Sequence, residues 1–319
     1  GQQDCTEALC RALDDAMEAD RREQVGALER MGQPGAVAEG PETKPGYCLF
    51  PRNSPPATIL YLPAGTYRVS GTVGYSWHDH VTSVFKDHLA RGIHWLGDGP
   101  GKSILRLDDK CPGFDSSYGK PVIEILRGLK SAVCMQNTVE KLSVHTGSGN
   151  PGAIGVDFYC NNTGAVRDVS VCSGDGDGIA GVAIRKWNSS CALMQRVSVV
   201  GFQFGIQILH DRLYTALEDI DVCGQSVSGV WIDSHNVGLH RLRSKNSVPA
   251  LTVVGEPAVV AAYDIQESAG DSVSPAVDIR QGHVLVRDLQ TSGRRCAIAH
   301  SNGVDISDEK VDEWCSHLA

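Results

Sequence analysis

One pattern constrains this chain more than any other: a short alternating apolar segment recurs from residue 139 onward. VEKLSV, VRDVSV, MQRVSVV, LEDIDV, LHRLRS, AYDIQES and VRDLQTS share one arrangement, centred on Leu142, Val169, Val197, Ile220, Leu242, Ile265 and Leu289. The intervals are 27, 28, 23, 22, 23 and 24 residues. Each segment is followed by a second apolar run, in turn IGVDF, AGVAI, FGIQI, SGVWI, ALTVV, AVDIR and CAIAH. Units this short cannot bury their apolar faces alone and must bury them against the copies above and below. That is the signature of a solenoid. Alternation turns one face of each strand inward, and Gly, Asn and Ser between the strands make the corners. The expected fold is therefore all-β, a single parallel β-helix over residues 57–319.

Composition agrees where it bears on this. The 35 glycines and 6% aromatic residues suit strands and turns better than a helical bundle. A net charge of −9 argues against wrapping nucleic acid. No apolar run approaches the roughly 18 residues of a membrane span, so no membrane partner is expected. Eleven cysteines leave at least one unpaired, but no C-x-x-C pair suggests zinc. No metal or cofactor is called for.

The ends read differently from the middle. Asp4 with Glu7 fits a capping box, and Leu9, Ala12, Leu13 and Met17 recur at helical spacing, so residues 1–31 are assigned to an amino-terminal capping helix. Residues 32–56, rich in Gly and Pro, read as a long loop. ILYLPAGTYRVSGTV then supplies two strands around Pro63-Ala64-Gly65, and residues 74–92 form an excursion before IHWLG, KSILRL and PVIEIL. A solenoid must cover its terminal coils or expose unpaired edges. The segment from Thr6 to Met17 should cap one end. At the other, DISDEKVDEWCSHLA is a weaker cap, which leaves pairing with another chain or domain open.

These residues carry a resemblance. DCTEALCRAL followed by ILYLPAGTYRVSGTV resembles the start of pectate-lyase-superfamily β-helices, where a capping helix precedes a P-x-G-x-Y-x-V strand. IHWLGDGPGKSILRL and NPGAIGVDFYCNNTGAVRDVSV resemble the β-helix domain of family 55 glucanases and "family 28-related" proteins. The resemblance covers nearly the whole chain. It implies a right-handed parallel β-helix, a polysaccharide or oligosaccharide substrate, and a secreted or periplasmic location. It does not fix the activity, because lyases, hydrolases, epimerases and phage tailspikes share such motifs. Family 28 polygalacturonases carry N-T-D, D-D, G-H-G and R-I-K signatures. Here only Gly282-His283 stands near an Arg, and N-T-D is missing. Family 55 enzymes have two β-helix domains, so one solenoid would be one part of that architecture.

Several clusters invite chemistry. In SGDGDG, Asp175 and Asp177 have the spacing of a calcium loop's start, but the downstream bidentate Glu is missing and the stretch falls where neighbouring repeats turn. It is expected to be a corner. Lys141, Asp168, Arg196, Asp219, Arg241, Asp264 and Asp288 precede the central apolar residues and should stack as an exposed ion ladder of small energetic weight. His78, Asp79, His80, Asp87 and His88 lie in the excursion, where a solvated or substrate-contacting cluster outweighs a metal. GDGPGKS is not a phosphate loop, since Leu96 occupies the first glycine's place and a strand follows. Cys160, Cys172 and Cys223 fall at strand ends read as exposed, without a His partner in register.

The second-strand column carries the candidate site. With Val156, Val182, Ile206, Val230, Leu251 and Val277 inward, the outward residues include Asp157, Arg185, Gln207, Trp231, Asp233, Asp278 and Arg280. Trp187, Asp211, His235 and Glu256 follow just past the strand ends. Tryptophans beside carboxylates suit a sugar site, with an apolar plate for the ring face and a proton donor and acceptor for the glycosidic bond. Asp211, Asp233 and Glu256 are the candidate catalytic carboxylates. Trp187, Trp231, Arg185, His235 and Asp157 are the candidate substrate contacts. The expected function is a glycoside hydrolase. The alternatives are a polysaccharide lyase acting on a uronate-containing glycan, and a non-catalytic glycan-binding, adhesin or tailspike-like β-helix.

Overall fold

The computed structural model describes residues 3–16, 59–76, 92–127, 136–160, 163–186, 189, 192–209, 214–256, 258–268, 273–303 and 305–316. The repeat becomes two columns of parallel strands. Long strands β7 (Asn137–His145), β9 (Gly164–Cys172), β11 (Ala192–Val200), β13 (Tyr214–Cys223), β15 (Asn236–Lys245), β17 (Val259–Glu267) and β19 (His283–Gln290) stack in chain order in sheet A. Between them, β8 (Ala153–Asp157), β10 (Ala180–Ile184), β12 (Phe204–Ile208), β14 (Ser228–Ile232), β16 (Leu251–Val253), β18 (Val277–Ile279) and β20 (Ile298–His300) stack in sheet B. Leu142, Val169, Val197, Ile220, Leu242, Ile265 and Leu289 are directly in register. So are Val156, Val182, Ile206, Val230, Leu251 and Val277. Both columns are buried in one continuous core. The chain is a parallel β-solenoid.

The long strands are not straight. Lys141, Asp168, Arg196, Asp219, Arg241, Asp264 and Asp288 all have φ of 52 to 61°, the left-handed region. Each shifts the alternation by one residue. Val139 and Leu142, Val166 and Val169, and Met194 and Val197 therefore point inward three apart. The strand turns a corner there, and both of its halves face the core. The expected ion ladder thus sits on a bend. Arg196 pairs with Asp168 at 2.6 Å, and Arg241 bridges Asp219 and Glu218.

The first coils make the same corner with loops. β1 (Ile59–Leu62) and β4 (His94–Gly97) stack on the first half of β7, and β2 (Gly65–Val69) and β5 (Ser103–Leu107) on its second half. GDGPGK is the corner between β4 and β5. Its Gly99 amide donates to the Lys141 carbonyl at 2.8 Å, and a Cβ on Gly97 would collide with that same carbonyl. On the sheet B side, β3 (Val73–Ser76) and β6 (Lys120–Arg127) complete these coils.

Helix α1 (residues 6–16) covers the amino-terminal end, with Leu9 and Leu13 buried in the core. Asp4 accepts the Thr6 amide at 2.9 Å and the Ser70 hydroxyl, and the Thr6 hydroxyl oxygen accepts the Ser70 amide. Glu7 lies toward Arg11 at 3.8 Å rather than completing a reciprocal box. Met17, the remainder of residues 1–31, the 32–56 loop and the His78–His88 cluster lie outside the described residues. At the other end, β21 (Asp305–Ile306) and β22 (Lys310–Cys315) run antiparallel against β20 and β19. Lys310, Asp312 and Glu313 on the edge strand discourage further pairing.

Candidate functional site

Alternation fixes the outer face of sheet B. Glu124, Asp157, Ala183, Gln207, Trp231, Thr252 and Asp278 lie in register on successive strands, each next to an inward apolar residue. The register read from the repeat is the register found. Its surroundings are more closed than a row of outward residues implies.

Asp157 has a side chain only 4% exposed. Its Oδ2 faces Arg185 at 3.3 Å and Lys186 at 3.7 Å, while Lys186 also meets Glu124 at 3.2 Å and donates to the Ile125 carbonyl. Arg185 donates to the Tyr118 carbonyl at 2.7 Å, clasping the preceding loop over Ile154 and Ile179. Two cations and two carboxylates thus neutralise one another within the protein. Asp157 Oδ1 is buried without a hydrogen-bond partner. Lys186 and Glu124 belong to this cluster although the repeat did not single out Glu124, whose strand precedes the regular coils.

Trp231 is half-buried. Its ring meets the edge of Phe204 with centroids 5.2 Å apart, and the Arg280 guanidinium lies 5.4 Å from its centroid, held by Asp278 at 2.9 Å. This is a cation–π contact that fixes the indole. Beside Phe204 and Gln207 the face opens into a hollow of about 370 Å³, walled by Ser116, Ser117, Pro151 and Gln203.

Asp233 follows β14 at the corner leading to β15. Its amide donates to the Ile208 carbonyl, and its carboxylate accepts the Ser234 hydroxyl at 2.8 Å. Ser234 has φ 58°, so the backbone turns sharply there. One coil further on, Gly255 packs so closely on Asp233 and Ser234 that a Cβ would collide with both. The missing side chain lets the two corners nest, and exposed Glu256 follows Gly255 on the second corner. Trp231, Asp233 and Glu256 are therefore brought to one edge of sheet B. His235 is not part of that edge. It is fully buried, with Nε2 3.0 Å from the Thr215 hydroxyl, because the turn at Ser234 rotates it inward. Trp187 and Asp211 lie outside the described residues.

The other clusters resolve structurally. The Asp175 carboxylate accepts the Gly149 amide from the preceding coil, the Asp177 amide at 3.1 Å and the Ser173 hydroxyl at 3.1 Å. These bonds, the one from Gly149 foremost, hold its pKa below the usual carboxylate range. SGDGDG is a hydrogen-bonded corner. Cys160 is buried rather than exposed, and Cys172 and Cys223 are half-buried.

Comparison with protein-family models and with curated proteins returns no match. Among solved structures the chain is similar to ORF18 of Geobacillus virus E2, at 11% identity and a TM-score of 0.36. The similarity covers 76% of this chain and 55% of that one, so the chain matches about half of the viral protein's length.

Proposed function

We propose that the protein is a carbohydrate-active β-solenoid, secreted or periplasmic, that binds a polysaccharide along sheet B and hydrolyses it at the edge defined by Trp231, Asp233 and Glu256. The observation that carries this reading is the nesting of Gly255 on Asp233 beside an oriented tryptophan. Glu256 stands one coil on from Asp233 and two residues further along the register, since Ile232 pairs with Val253. Retaining glycosidases hold their pair about 5–5.5 Å apart and inverting ones about 6.5–9.5 Å. In this reading Glu256, the more exposed, protonates the leaving oxygen, and Asp233 attacks or directs water. Asp211, one coil earlier in sequence register, is the reserve carboxylate. Trp231 and Trp187 stack on sugar rings.

The lyase alternative needs an arginine or cation to neutralise a uronate. Arg185 and Lys186 are already engaged by Asp157 and Glu124, which disfavours it. A binding-only protein is the second reading, favoured because neither Asp233 nor Glu256 lines the hollow beside Gln207. Release of new reducing ends from a polysaccharide panel tests both. Glu256→Gln and Asp233→Asn should each lower the rate at least about a hundredfold, the scale of acid–base catalysis. Full activity in both variants refutes the assignment. Binding without new reducing ends in the parent leaves only the glycan-binding protein, and products absorbing in the ultraviolet identify a lyase.

A further inference from the structure

A larger depression than the one on sheet B lies on the first half of sheet A, on the other side of the Asp233 and Glu256 corners. It has a volume of about 760 Å³, within the range of small-molecule sites. Its floor is the outward column Leu193, Ala216, Gly238 and Ala261, in register on four successive strands. Three strand spacings make it roughly 14 Å long, parallel to the solenoid axis. One rim is Tyr214 and Val259, 65% and 51% exposed, the first residues of β13 and β17.

Two residues further along each strand, beyond the trough's lining, Gln195, Glu218, His240 and Tyr263 form the next outward column. The carboxylates of that column's bend are engaged within the protein. Glu218 accepts hydrogen bonds from Gln195 and Arg241, both at 2.7 Å, and Arg241 also holds Asp219. Among the described residues no charged side chain lines the trough itself. A uronate, a nucleic acid or a charged peptide has no counter-ion in this trough. A neutral molecule with apolar faces and hydroxyl edges matches it, with ring faces against Tyr214 and the alanine floor, and hydroxyls toward Asn236.

We propose that this trough is a second, non-catalytic binding site for a neutral oligosaccharide chain lying along the solenoid axis. The ligand class rests on the carbohydrate reading of the sheet B edge, while the site itself does not depend on hydrolysis there.

Gly238 gives a direct test. A Cβ at this position would meet nothing within 4 Å, and its backbone is not left-handed. Gly238→Phe therefore fills the trough without forcing the backbone. Titration calorimetry of the full chain would use gluco-, manno- and xylohexaose, with hexagalacturonate as the charged control. At least one neutral hexaose should bind, and Gly238→Phe should weaken it about tenfold or more. Tyr214→Ala should weaken it less, through lost stacking. Neither change should alter cleavage of a trisaccharide too short to reach both sites, and Glu256→Gln should leave trough binding intact. Trough variants that keep both the parent's stoichiometry and its affinity overturn the proposal. So does absence of binding by every neutral hexaose, equal trough-dependent binding of hexagalacturonate, or loss of binding in Glu256→Gln. Trough binding by a protein that cleaves nothing sinks the hydrolase assignment and leaves this site standing.

Discussion

Two of this solenoid's sets of ion pairs differ in where the charges sit. The ladder on the bend of the long strands, Asp168 with Arg196 and Asp219 with Arg241, has side chains 29–49% exposed. Arg294 and Glu267 have side chains only 1% and 0% exposed. Besides Glu267, Arg294 donates to the carbonyls of Asn246, Ser247 and Val248, and Thr291 donates to the second oxygen of Glu267. The ladder decorates a backbone shape that already exists. The buried pair creates one, because it anchors the corner from β15 to β16 against the next two coils. Water screens the first set, while only the protein can satisfy the second.

The largest effect should come from breaking the buried set. Arg294→Met leaves a buried carboxylate and three loop carbonyls without their donor, and should cost about 3–5 kcal/mol. Glu267→Gln keeps the shape and an acceptor for Arg294, and should cost less. Chemical denaturation of both variants checks the order. If Arg294→Met is as stable as the parent, the corner is held by packing and the contrast with the ladder fails.

How much of this was legible in the sequence follows from the same contrast. Stacking demands that equivalent residues repeat, so the inward columns, the coil register and the outward position of Trp231 could be read from spacing alone. The bend was present in the sequence as the three-residue gap in Val139–Leu142 and Val166–Val169. Simple alternation does not reveal it, because the left-handed residue carries a charge that also suits an exposed ladder. Arg294 and Glu267 occur once, 27 residues apart. No period marks them, and their pairing follows from how two corners meet in space. The same limit applied at the candidate site. Register correctly placed Asp157 and Trp231 facing outward, but not the Arg185–Lys186–Glu124 cluster that covers Asp157. Past the strand ends register lost its meaning, and there His235 turned inward.

A substitution within the bend separates backbone from charge. Asp264 has φ 54° and its carboxylate accepts the Gln266 side-chain amide at 3.2 Å. Asp264→Val places a β-branched residue in the left-handed region and should destabilise by about 1–2 kcal/mol. Asp264→Asn removes the charge, suits that region, and should be nearly neutral. Equal losses in the two variants would mean that the ladder's charge, not the bend's conformation, matters. Raising the salt concentration should leave the difference between them unchanged, since backbone strain is not screened.

The smallest effect concerns an exposed carboxylate that does shape the backbone, which makes it the sharpest test of the contrast. Asp4 ties helix α1 to the first coil through Ser70 and Thr6, and those hydrogen bonds, with Ser70 the largest contributor, lower its pKa from 3.8 to about 2. A carboxylate with a depressed pKa in the fold contributes stability that is fully present above its unfolded value and is lost as pH falls through the folded one. The cap should therefore hold at pH 5 and loosen between about pH 4 and pH 2. Hydrogen exchange at the Ser70 amide, which donates to Thr6 Oγ1, and at the Leu9 amide reads that loosening directly. Asp4→Asn should show faster exchange at pH 5 and little further change on acidification. At pH 5, Asp4→Asn should leave the amides of the distant β15–β16 corner as protected as in the parent. If both regions lose protection together, the amino-terminal cap and the distant corner unfold as one unit, and exposure would not distinguish the two kinds of charge in this solenoid.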